Sequence, residues 1–492
     1  MFHSGRAISS TPASTLGRRS DRIVHRLGMA RFADLPAELV IQIIHHLFYA
    51  GGSYVDPYPL SGHPFLELDH TQLDCSAEAK PRPHEGLYRW RGPRGCRPVD
   101  PHQASWPNGL PSNPLLPLAL VNHTFRQCVQ ELLFKSVYLC NVAAAGTFLK
   151  ALTCGSKVSN RRRKHHENGP SRLSQHVRSI QFSWHHSRST GKRGASLFCK
   201  ILQNCPLLQN VYISNPFPLA FKESMLEALA SKPLIKELVV CYGSEFHDSN
   251  FKWTPDEIVS QLFSHWDFLE TVEFYGISDW SSHHDPSREP APTSIPVLNC
   301  AIRTLILRDN KLDELTLSNL LKSCGESMYT LKITGPHLHL DPEAFARVLR
   351  DSTNPNLESL IIMKPVRSAY WIDFMNPNLE LSPGILETVF DSPTTLRNLK
   401  TLSFYADLIA TDYLLPRLPK SLVKLCMGQC RISASRFINA LAISSGHNER
   451  SLPNLMCLSV NGPRKCRWSA EEKIAVQLAV EVRGGCFHTF CD

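Results

Sequence analysis

The sequence predicts an α/β solenoid that follows a short α-helical domain. The first observation is a series of apolar triplets with i, i+3, i+5 spacing, which recurs between residues 177 and 460. The second is a set of helix start signals between the triplets, and the third is a pair of amphipathic helical segments ahead of the array. A repeated strand–helix unit has one apolar face, which it buries only by stacking on its neighbours. We therefore expect a stacked array whose main role is to hold a partner.

The first 31 residues precede any periodic pattern. They are basic and rich in Ser and Thr, and we expect a disordered leader. They contain no continuous apolar core, so a secretory signal is not expected. Asp21 is the only acidic residue among them, so a mitochondrial address stays open, although the helical pattern is poor.

The helical domain is assigned to residues 32–140. Pro36 suits the first helical position, and Glu38 complements the positive end of the helix dipole. The apolar residues that follow at 3–4 spacing predict a short amphipathic helix, and they are Leu39, Val40, Ile43, Ile44 and Leu47. A second helix is predicted over residues 118–134, with a shared apolar face made of Leu118, Val121, Phe125, Val129 and Leu132. A strand-like segment at residues 136–139 follows it.

A Pro-rich segment separates these two helices. Residues 51–113 are rich in Pro, Gly, Ser and His and have no apolar period, so we expect a disordered insertion. Such an insertion costs little, because each doubling of loop length adds only roughly 0.6 kcal/mol. Residues 141–175 then hold a connecting helix, around residues 143–152, and a basic loop at residues 161–166.

Ten apolar triplets define the array, which we assign to residues 176–482 with a capping helix at its C-terminal end. The triplets are Val177-Ile180-Phe182, Leu208-Val211-Ile213, Ile235-Leu238-Val240, Leu269-Val272-Phe274, Ile302-Leu305-Leu307, Met328-Leu331-Ile333, Leu357-Leu360-Ile362, Leu399-Leu402-Phe404, Leu422-Leu425-Met427 and Leu455-Leu458-Val460. Their central members run from Ile180 to Leu458, so the intervals average about 31 residues. Because a strand alternates its faces, the last two members of each triplet point inward together.

One unit matches a repeat consensus at every fixed position. Residues 302–312 follow L-x-x-L-x-L-x-x-N-x-L, with Asn310 in the Asn slot. Residues 422–432 follow it with Cys430 in that slot, where a small polar side chain can bond the backbone of the turn that leaves the strand. The spacing between units varies from 23 to 42 residues. The pattern therefore predicts an irregular leucine-rich-repeat array.

Helix start signals fall between the predicted strands. Residues 254–257 form a capping box with Pro at the first helical position. Similar caps are predicted at Asp341 and Ser382, and Ser469 begins a last helix that runs to about Val482. We expect residues 483–492 to be a tail.

The strongest repeat also predicts which side chains face a partner. Leu305 and Leu307 should point into the stacked core, whereas Thr304, Ile306 and Arg308 should lie on or beside the concave strand face. Repeat proteins bind partners on this face. These last three residues are therefore our candidate substrate-binding residues.

Two segments of the helical domain resemble the two halves of an F-box. Residues 35–47, which begin Leu-Pro-Ala-Glu-Leu, are similar to the first half. Residues 118–126 are similar to the second half, with Asn122 and Phe125 in place of the usual Cys and Trp. Residues 132–139 look like the exit from a fungal-type F-box. The chain thus resembles proteins in which an F-box precedes leucine-rich repeats.

This resemblance implies a non-catalytic substrate-recognition subunit of an SCF-type (Skp–cullin–F-box) ubiquitin ligase. Such domains dock an apolar helical face onto a Skp-type adaptor, and through it a cullin, while the repeats hold a protein substrate near the ubiquitin-charged enzyme. The residues that would form the adaptor face are Leu35, Pro36, Leu39, Ile43, Leu118, Val121 and Phe125. Some of them must instead pack the core of the domain itself.

Two other interpretations stay open. Two helices are also what a cap needs to seal the N-terminal end of a solenoid, which would leave a protein-interaction scaffold without a ligase role. The net charge of +9 and the basic run at residues 161–166 allow a nuclear protein associated with nucleic acid, but no aromatic side chains interleave with the basic ones. We expect the chain in the cytoplasm, the nucleus or both.

The motifs argue against catalysis, cofactors and metals. The sequence contains no G-x-S-x-G, no H-E-x-x-H and no phosphate-binding Gly loop, so we expect neither a catalytic residue nor a cofactor. Cys426 and Cys430 are explained by their repeat positions. Cys486, His488 and Cys491 cluster near the C-terminus, but three ligands on a tail are weak for zinc, and we expect no metal site.

Cysteine usage and hydropathy exclude two further classes. The 16 cysteines include no C-x-x-C pair, which favours a reducing compartment over a disulfide framework. No stretch approaches the roughly 18 consecutive apolar residues that a membrane span requires.

Overall fold

A computed structural model shows a helical unit joined to a twelve-stranded parallel sheet. The residues that it describes are 35–45, 115–139, 141–154, 171–183, 192–214, 221–241, 254–277, 298, 300–308, 310–334, 340–363, 383–405, 409–428, 431–442, 452–461 and 468–490. The predicted leader (residues 1–31), insertion (residues 51–113) and basic loop (residues 161–166) lie outside the described residues.

Twelve α-helices are present among the described residues. They are α1 Ala37–His45, α2 Leu115–Leu118, α3 His123–Lys135, α4 Val142–Cys154, α5 Lys192–Gln203, α6 Lys222–Ala230, α7 Pro255–Gln261, α8 Glu314–Ser323, α9 Pro342–Ser352, α10 Ile385–Val389, α11 Ala434–Leu441 and α12 Ala470–Glu481. Short 3-10 helices cover Arg172–Gln175, Phe263–His265, Gly325–Ser327 and Leu415–Arg417.

The strands follow one another across the sheet in sequence order. They are β1 Ser136–Leu139, β2 Ser179–Ser183, β3 Asn210–Ser214, β4 Glu237–Cys241, β5 Thr271–Tyr275, β6 Thr304–Arg308, β7 Thr330–Thr334, β8 Ser359–Met363, β9 Thr401–Tyr405, β10 Lys424–Gly428, β11 Cys457–Asn461 and β12 Cys486–Phe490. Each strand pairs in parallel with its predecessor. Consecutive helices such as α8 and α9 also pack side by side. This sequential stacking of strand and helix is an α/β solenoid.

The apolar triplets build the core of the solenoid, as the sequence predicts. No triplet side chain is more than 3% exposed. In the sheet register Leu305 lies beside Leu331 and Leu307 beside Ile333, so equivalent members form rows across the strands. The buried side chains form one continuous cluster from Leu139 in β1 to Val480 in α12.

The sheet extends one strand beyond the triplets at each end. The strand predicted at residues 136–139 is β1, and its Val137 lies beside Ile180 of β2. The expected tail over residues 483–492 is wrong, because residues 486–490 form β12 and pair with β11. β12 carries no apolar triplet, so the pattern that identified β2–β11 did not identify it.

Asn310, in the Asn position of the strongest repeat, forms hydrogen bonds to the preceding repeat. The side-chain Oδ1 of Asn310 accepts a hydrogen bond from the Ile277 amide at 2.8 Å. Its Nδ2 donates to the carbonyl of Phe274 at 3.2 Å. Phe274 lies near the end of the preceding strand β5, and Ile277 lies in the turn that follows it, where Gly276 has a positive φ of 73°. The buried amide thus ties two repeats together and satisfies backbone groups that the turn leaves unpaired.

Three of the four predicted helix caps form. Thr254 and Ser469 each make a capping box, and Asp341 accepts a hydrogen bond from the Ala344 amide. The fourth cap was predicted at Ser382, which lies outside the described residues, whereas α10 begins at Ile385 with Gly384 as its N-cap and no side-chain cap bond.

The helical unit has a core of its own. Helix α1 packs across α3, and α2 packs at the start of α3. The buried side chains of this core form a cluster separate from that of the solenoid, and they are Val40, Ile44, Phe125, Cys128 and Val129. Helix α3 continues directly into β1, and its penultimate residue Phe134 stacks on Phe148 at 5.8 Å between ring centroids. Among the described residues, α3 joins the unit to the solenoid through β1 and also contacts the 3-10 helix Arg172–Gln175.

Candidate functional site

The helical unit divides the seven predicted adaptor-binding residues between its core and its surface. Phe125 is only 1% exposed and belongs to the core, so it is corrected from a partner contact to a packing residue. Leu35 and Leu118 are partly buried and pack against the same core. Ile43 is half-buried. The amphipathic pattern alone could not separate these roles, because core and partner contacts both require apolar side chains.

The remaining predicted residues are exposed. Leu39 is 45% exposed and Val121 is 50% exposed, and Pro36 is exposed at the start of α1. Leu120, which the sequence analysis did not select, is 79% exposed in the α2–α3 connection. We call Pro36, Leu39, Leu120 and Val121 the apolar surface of the helical unit. Leu120 could have been recognised from the sequence as an apolar residue that does not fit the 3–4 spacing of the buried face.

Asn122, at which the sequence differs from the F-box pattern, has a structural role at the start of α3. It is the N-cap of α3, and its Oδ1 accepts a hydrogen bond from the Phe125 amide at 2.9 Å. Asn is among the best N-cap residues because its side-chain oxygen satisfies a free amide in the first turn. Asn122 therefore defines where α3 starts.

The second surface is the face of the sheet that points away from the solenoid core, which we call the strand face. Its central row takes one residue from each strand: Tyr138, Gln181, Tyr212, Val239, Glu273, Ile306, Lys332, Ile361, Ser403, Cys426, Ser459 and His488. The alternation predicted for the strongest repeat places Leu305 and Leu307 in the core cluster, from which Ile306 is absent.

The three predicted substrate-binding residues differ in access. Thr304 and Arg308 are half-buried. Ile306 is only 7% exposed, because it lies between Glu273 and Lys332 in the central row. Its expected role as an accessible contact is therefore corrected to that of a largely buried residue of the strand face.

Charge is concentrated at the middle strands of this face. The Arg308 guanidinium lies 2.6 Å from a carboxylate oxygen of Glu273 on the adjacent strand. Glu237 and Lys332 are buried on the neighbouring strands β4 and β7. Charged groups that are largely removed from water interact more strongly than exposed ones, so this zone presents a defined electrostatic pattern.

Four apolar side chains of the next three strands pack together on the strand face. Ile361, Met363, Tyr405 and Cys426 are buried against one another in a cluster separate from the solenoid core. Cys426 therefore packs as a small apolar residue, as its repeat position predicts. Cys430, its predicted neighbour, lies outside the described residues.

Thiols and an imidazole occupy the last two strands. Cys457, Cys486 and His488 have ligand atoms that all lie within 4.8 Å of one another. Burial, and then the adjacent Cys486, raise the pKa of the Cys457 thiol to about 11. The sequence analysis grouped Cys486 and His488 with Cys491, which lies outside the described residues. It did not include Cys457, because the pairing of β11 with β12, and not sequence spacing, brings that residue to the group.

Comparisons with known proteins find only distant structural matches. No family model matches the chain, and no curated protein matches it. A solved complex of TLR13 with ssRNA13 is 14% identical with a TM-score of 0.32, over 59% of this chain and 41% of that one. The leucine-rich-repeat-containing protein LegL7 from Legionella pneumophila is 11% identical with a TM-score of 0.32, over 64% of this chain and 83% of its own. This chain thus spans less than half the length of the TLR13 chain.

The class of protein follows from the geometry of this chain itself. Parallel strands in sequence order, rows of buried triplets and a buried Asn that bridges two repeats are those of a leucine-rich-repeat solenoid. A solenoid of this kind is a protein-interaction scaffold, because its stacked strands form one extended binding face. No helix within the described ranges is long and apolar enough to cross a membrane.

Proposed function

We propose that this chain is the non-catalytic substrate-recognition subunit of an SCF-type ubiquitin ligase. The helical unit would bind a Skp-type adaptor through its apolar surface, and the strand face would bind a protein substrate. The chain would act by raising the concentration of that substrate near the ubiquitin-charged enzyme, and it performs no bond chemistry itself. We propose the cytoplasm or the nucleus as its site of action.

One observation carries this proposal over a simple cap. A cap should bury its apolar side chains against the first repeat, whereas Leu39, Leu120 and Val121 remain exposed. The unit also satisfies its packing with a core separate from that of the solenoid. Exposed apolar side chains beside an independent core support a partner-binding role, because partner-binding sites expose apolar groups.

The division of the strand face supports the second half of the proposal. A charged zone at β4–β7 adjoins a cluster of four apolar side chains on β8–β10. Interfaces commonly combine an apolar centre with charged groups that set orientation and partner choice. The half-buried Thr304 and Arg308 lie in the charged zone, so we keep both as candidate substrate contacts.

Binding of the full-length chain to a purified Skp-type adaptor tests the proposal. The variant Leu39→Ala with Val121→Ala should weaken the complex by at least about 30-fold, which corresponds to about 2 kcal/mol for a central apolar anchor. Its melting temperature should stay near that of the parent, because exposed substitutions usually change stability by no more than about 0.5 kcal/mol.

A matched control uses an exposed apolar residue at the other end of the molecule. Val482→Ala, just after α12, should leave adaptor binding unchanged. If the folded parent does not bind the adaptor, the ligase proposal is wrong and the chain is an interaction scaffold with a capping unit.

A further inference from the structure

We infer that Cys457, Cys486 and His488 form a zinc-binding site on the strand face at the C-terminal end of the sheet. The inference rests on three potential ligands that two adjacent strands bring together. It does not depend on adaptor binding, since the site lies at the opposite end of the chain from the helical unit.

The register of the last two strands places the ligands side by side. Cys457 of β11 lies directly beside Cys486 of β12, and Ser459 lies beside His488. Residues two apart on a strand share a face, so Cys486 and His488 point to the same side of the sheet. Leu458 and Val460 belong to the solenoid core, which places the three ligands on the strand face. The sulfur and ring nitrogen atoms lie within 4.8 Å of one another.

The turn before β12 holds these ligands in position. Gly484 adopts a positive φ of 76°, which an L side chain rarely adopts. A Cβ on Gly485 would lie 2.6 Å from the Met456 carbonyl oxygen, so this close approach requires glycine. The Cys486 amide then donates to that same carbonyl at 2.7 Å, which sets the register of the strand.

The side chain of Arg483, just before the turn, adds a second restraint on the two strands. The guanidinium of Arg483 donates to the carbonyls of Leu452 and Pro453 at 2.6 and 2.9 Å. These residues precede β11, so the segments that lead into both ligand-bearing strands are tied to each other. Ligands held by packed elements need little rearrangement to bind a metal.

The ligand types fit zinc. Thiolate sulfur binds Zn²⁺ at about 2.3 Å and imidazole nitrogen at about 2.0–2.1 Å, in tetrahedral geometry. Tetrahedral ligand atoms at those bond lengths lie roughly 3.5–3.8 Å apart, within the reach of small side-chain rotations from the present separations. Two thiolates and one imidazole also disfavour Mg²⁺ and Ca²⁺, which take oxygen ligands.

Binding also balances charge at this half-buried position. Two thiols lose one proton each to solvent, the imidazole stays neutral, and the ion brings two positive charges, so the loaded site has no net charge. A buried thiolate pair would be unfavourable without such a cation. Cys486 and His488 are half-buried, which leaves a route for the ion from solvent.

Three protein ligands leave the fourth position open. The Ser459 hydroxyl lies 4.0 Å from the Cys457 sulfur, so the floor of the site is polar. Zinc sites with three protein ligands keep a water or an incoming group in the fourth position. Because the site is on the strand face, that position is accessible to a side chain of a bound partner.

Zinc content of the full-length chain tests the inference. The protein is prepared under reducing conditions, stripped of metal with a chelator, and titrated with Zn²⁺ alone. Bound zinc per chain is then measured by elemental mass spectrometry. We expect Cys486→Ser and His488→Gln each to weaken zinc binding at this site by at least about 100-fold, since second-shell changes alone reach 10–100-fold. Both residues are half-buried, so folding should persist, and the melting temperature of the metal-free variants checks this.

Two control variants guard against binding by other cysteines. Cys426→Ser removes a thiol from the same face one strand away, and Cys199→Ser removes a half-buried thiol from helix α5. Both should keep the zinc stoichiometry of the parent. Replacement of zinc by Co²⁺ should give the visible absorption of a tetrahedral, thiolate-bound ion in the parent and both controls.

Three results would overturn the inference. One is equal zinc content in the parent and in the Cys486 and His488 variants. The second is a Co²⁺ spectrum of octahedral type. The third is a Cys457–Cys486 disulfide that persists in reducing buffer, because the same two sulfurs would then be unable to bind the ion.

Discussion

The helical unit and the solenoid bury their apolar residues in opposite ways. In the solenoid every triplet joins one cluster that runs from β1 to α12, and each repeat relies on its neighbours. The helical unit packs a five-residue core and leaves Leu39, Leu120 and Val121 exposed. A small core combined with exposed apolar side chains is what our proposal of a partner-binding unit requires, whereas the solenoid buries its triplets by stacking alone. The following predictions test that difference.

The largest effect is expected from Phe125→Ala, which removes the biggest side chain of the small core. Loss of a buried Phe costs about 3–5 kcal/mol, and a five-residue core has little to compensate it. Hydrogen exchange should become fast throughout α1 and α3 and stay slow in β5–β8. Equal loss of protection in the sheet would show that the two cores are a single folding unit.

Leu305→Ala should have the next largest effect. It leaves a cavity in the continuous core, at a cost of about 2–5 kcal/mol, measured as a shift of the urea midpoint. Ile306→Ala is the matched control on the other side of the same strand, and we expect it to cost less than half as much, since Ile306 lies outside the core cluster. Equal destabilisation by the two variants would contradict the alternation of faces and the repeat assignment.

Asn310→Ala should destabilise the solenoid by about 1–3 kcal/mol. The change leaves the Ile277 amide and the Phe274 carbonyl without their side-chain partner in a buried turn. Asn310→Asp keeps the acceptor but loses the donor, so it should recover part of the loss. A melting temperature unchanged by Asn310→Ala would show that the repeats do not depend on this bridge.

The smallest effect is expected from removing most of the predicted insertion. Deletion of residues 55–110 with a short Gly/Ser link should change the melting temperature by less than about 10 °C. Each halving of the loop length lowers the entropic cost of closing the loop by roughly 0.6 kcal/mol, which favours the packing of α1 against α3. A larger drop would indicate that the segment contributes to a core, and our prediction of disorder would then be incorrect.

The sequence predicted the solenoid better than the helical unit for a physical reason. Triplet members such as Leu305 and Leu307 are buried in every repeat, so one local pattern identifies strand, face and core together. In the helical unit, Phe125 and Leu39 have the same apolar character, but one packs inside and the other faces solvent. The packing of α1 against α3 decides which of the two is buried, and no local sequence pattern predicts that packing.

The C-terminal end shows a second limit of local patterns. Cys486 and His488 share a face by strand alternation, which the sequence shows once β12 is known. Cys457 joins them through the pairing of β11 with β12, which depends on the turn at Gly484 and Gly485. A contact between residues far apart in sequence is decided by register, so spacing alone suggested Cys491 instead.

The central claim is that the helical unit is a partner-binding module. Hydrogen exchange of the full-length chain, with and without a saturating Skp-type adaptor, tests it most directly. We predict that the adaptor slows exchange in residues 36–43 and 118–123 and leaves β5–β7 unchanged. Unchanged exchange in both helical segments, or protection confined to the strand face, would contradict the claim.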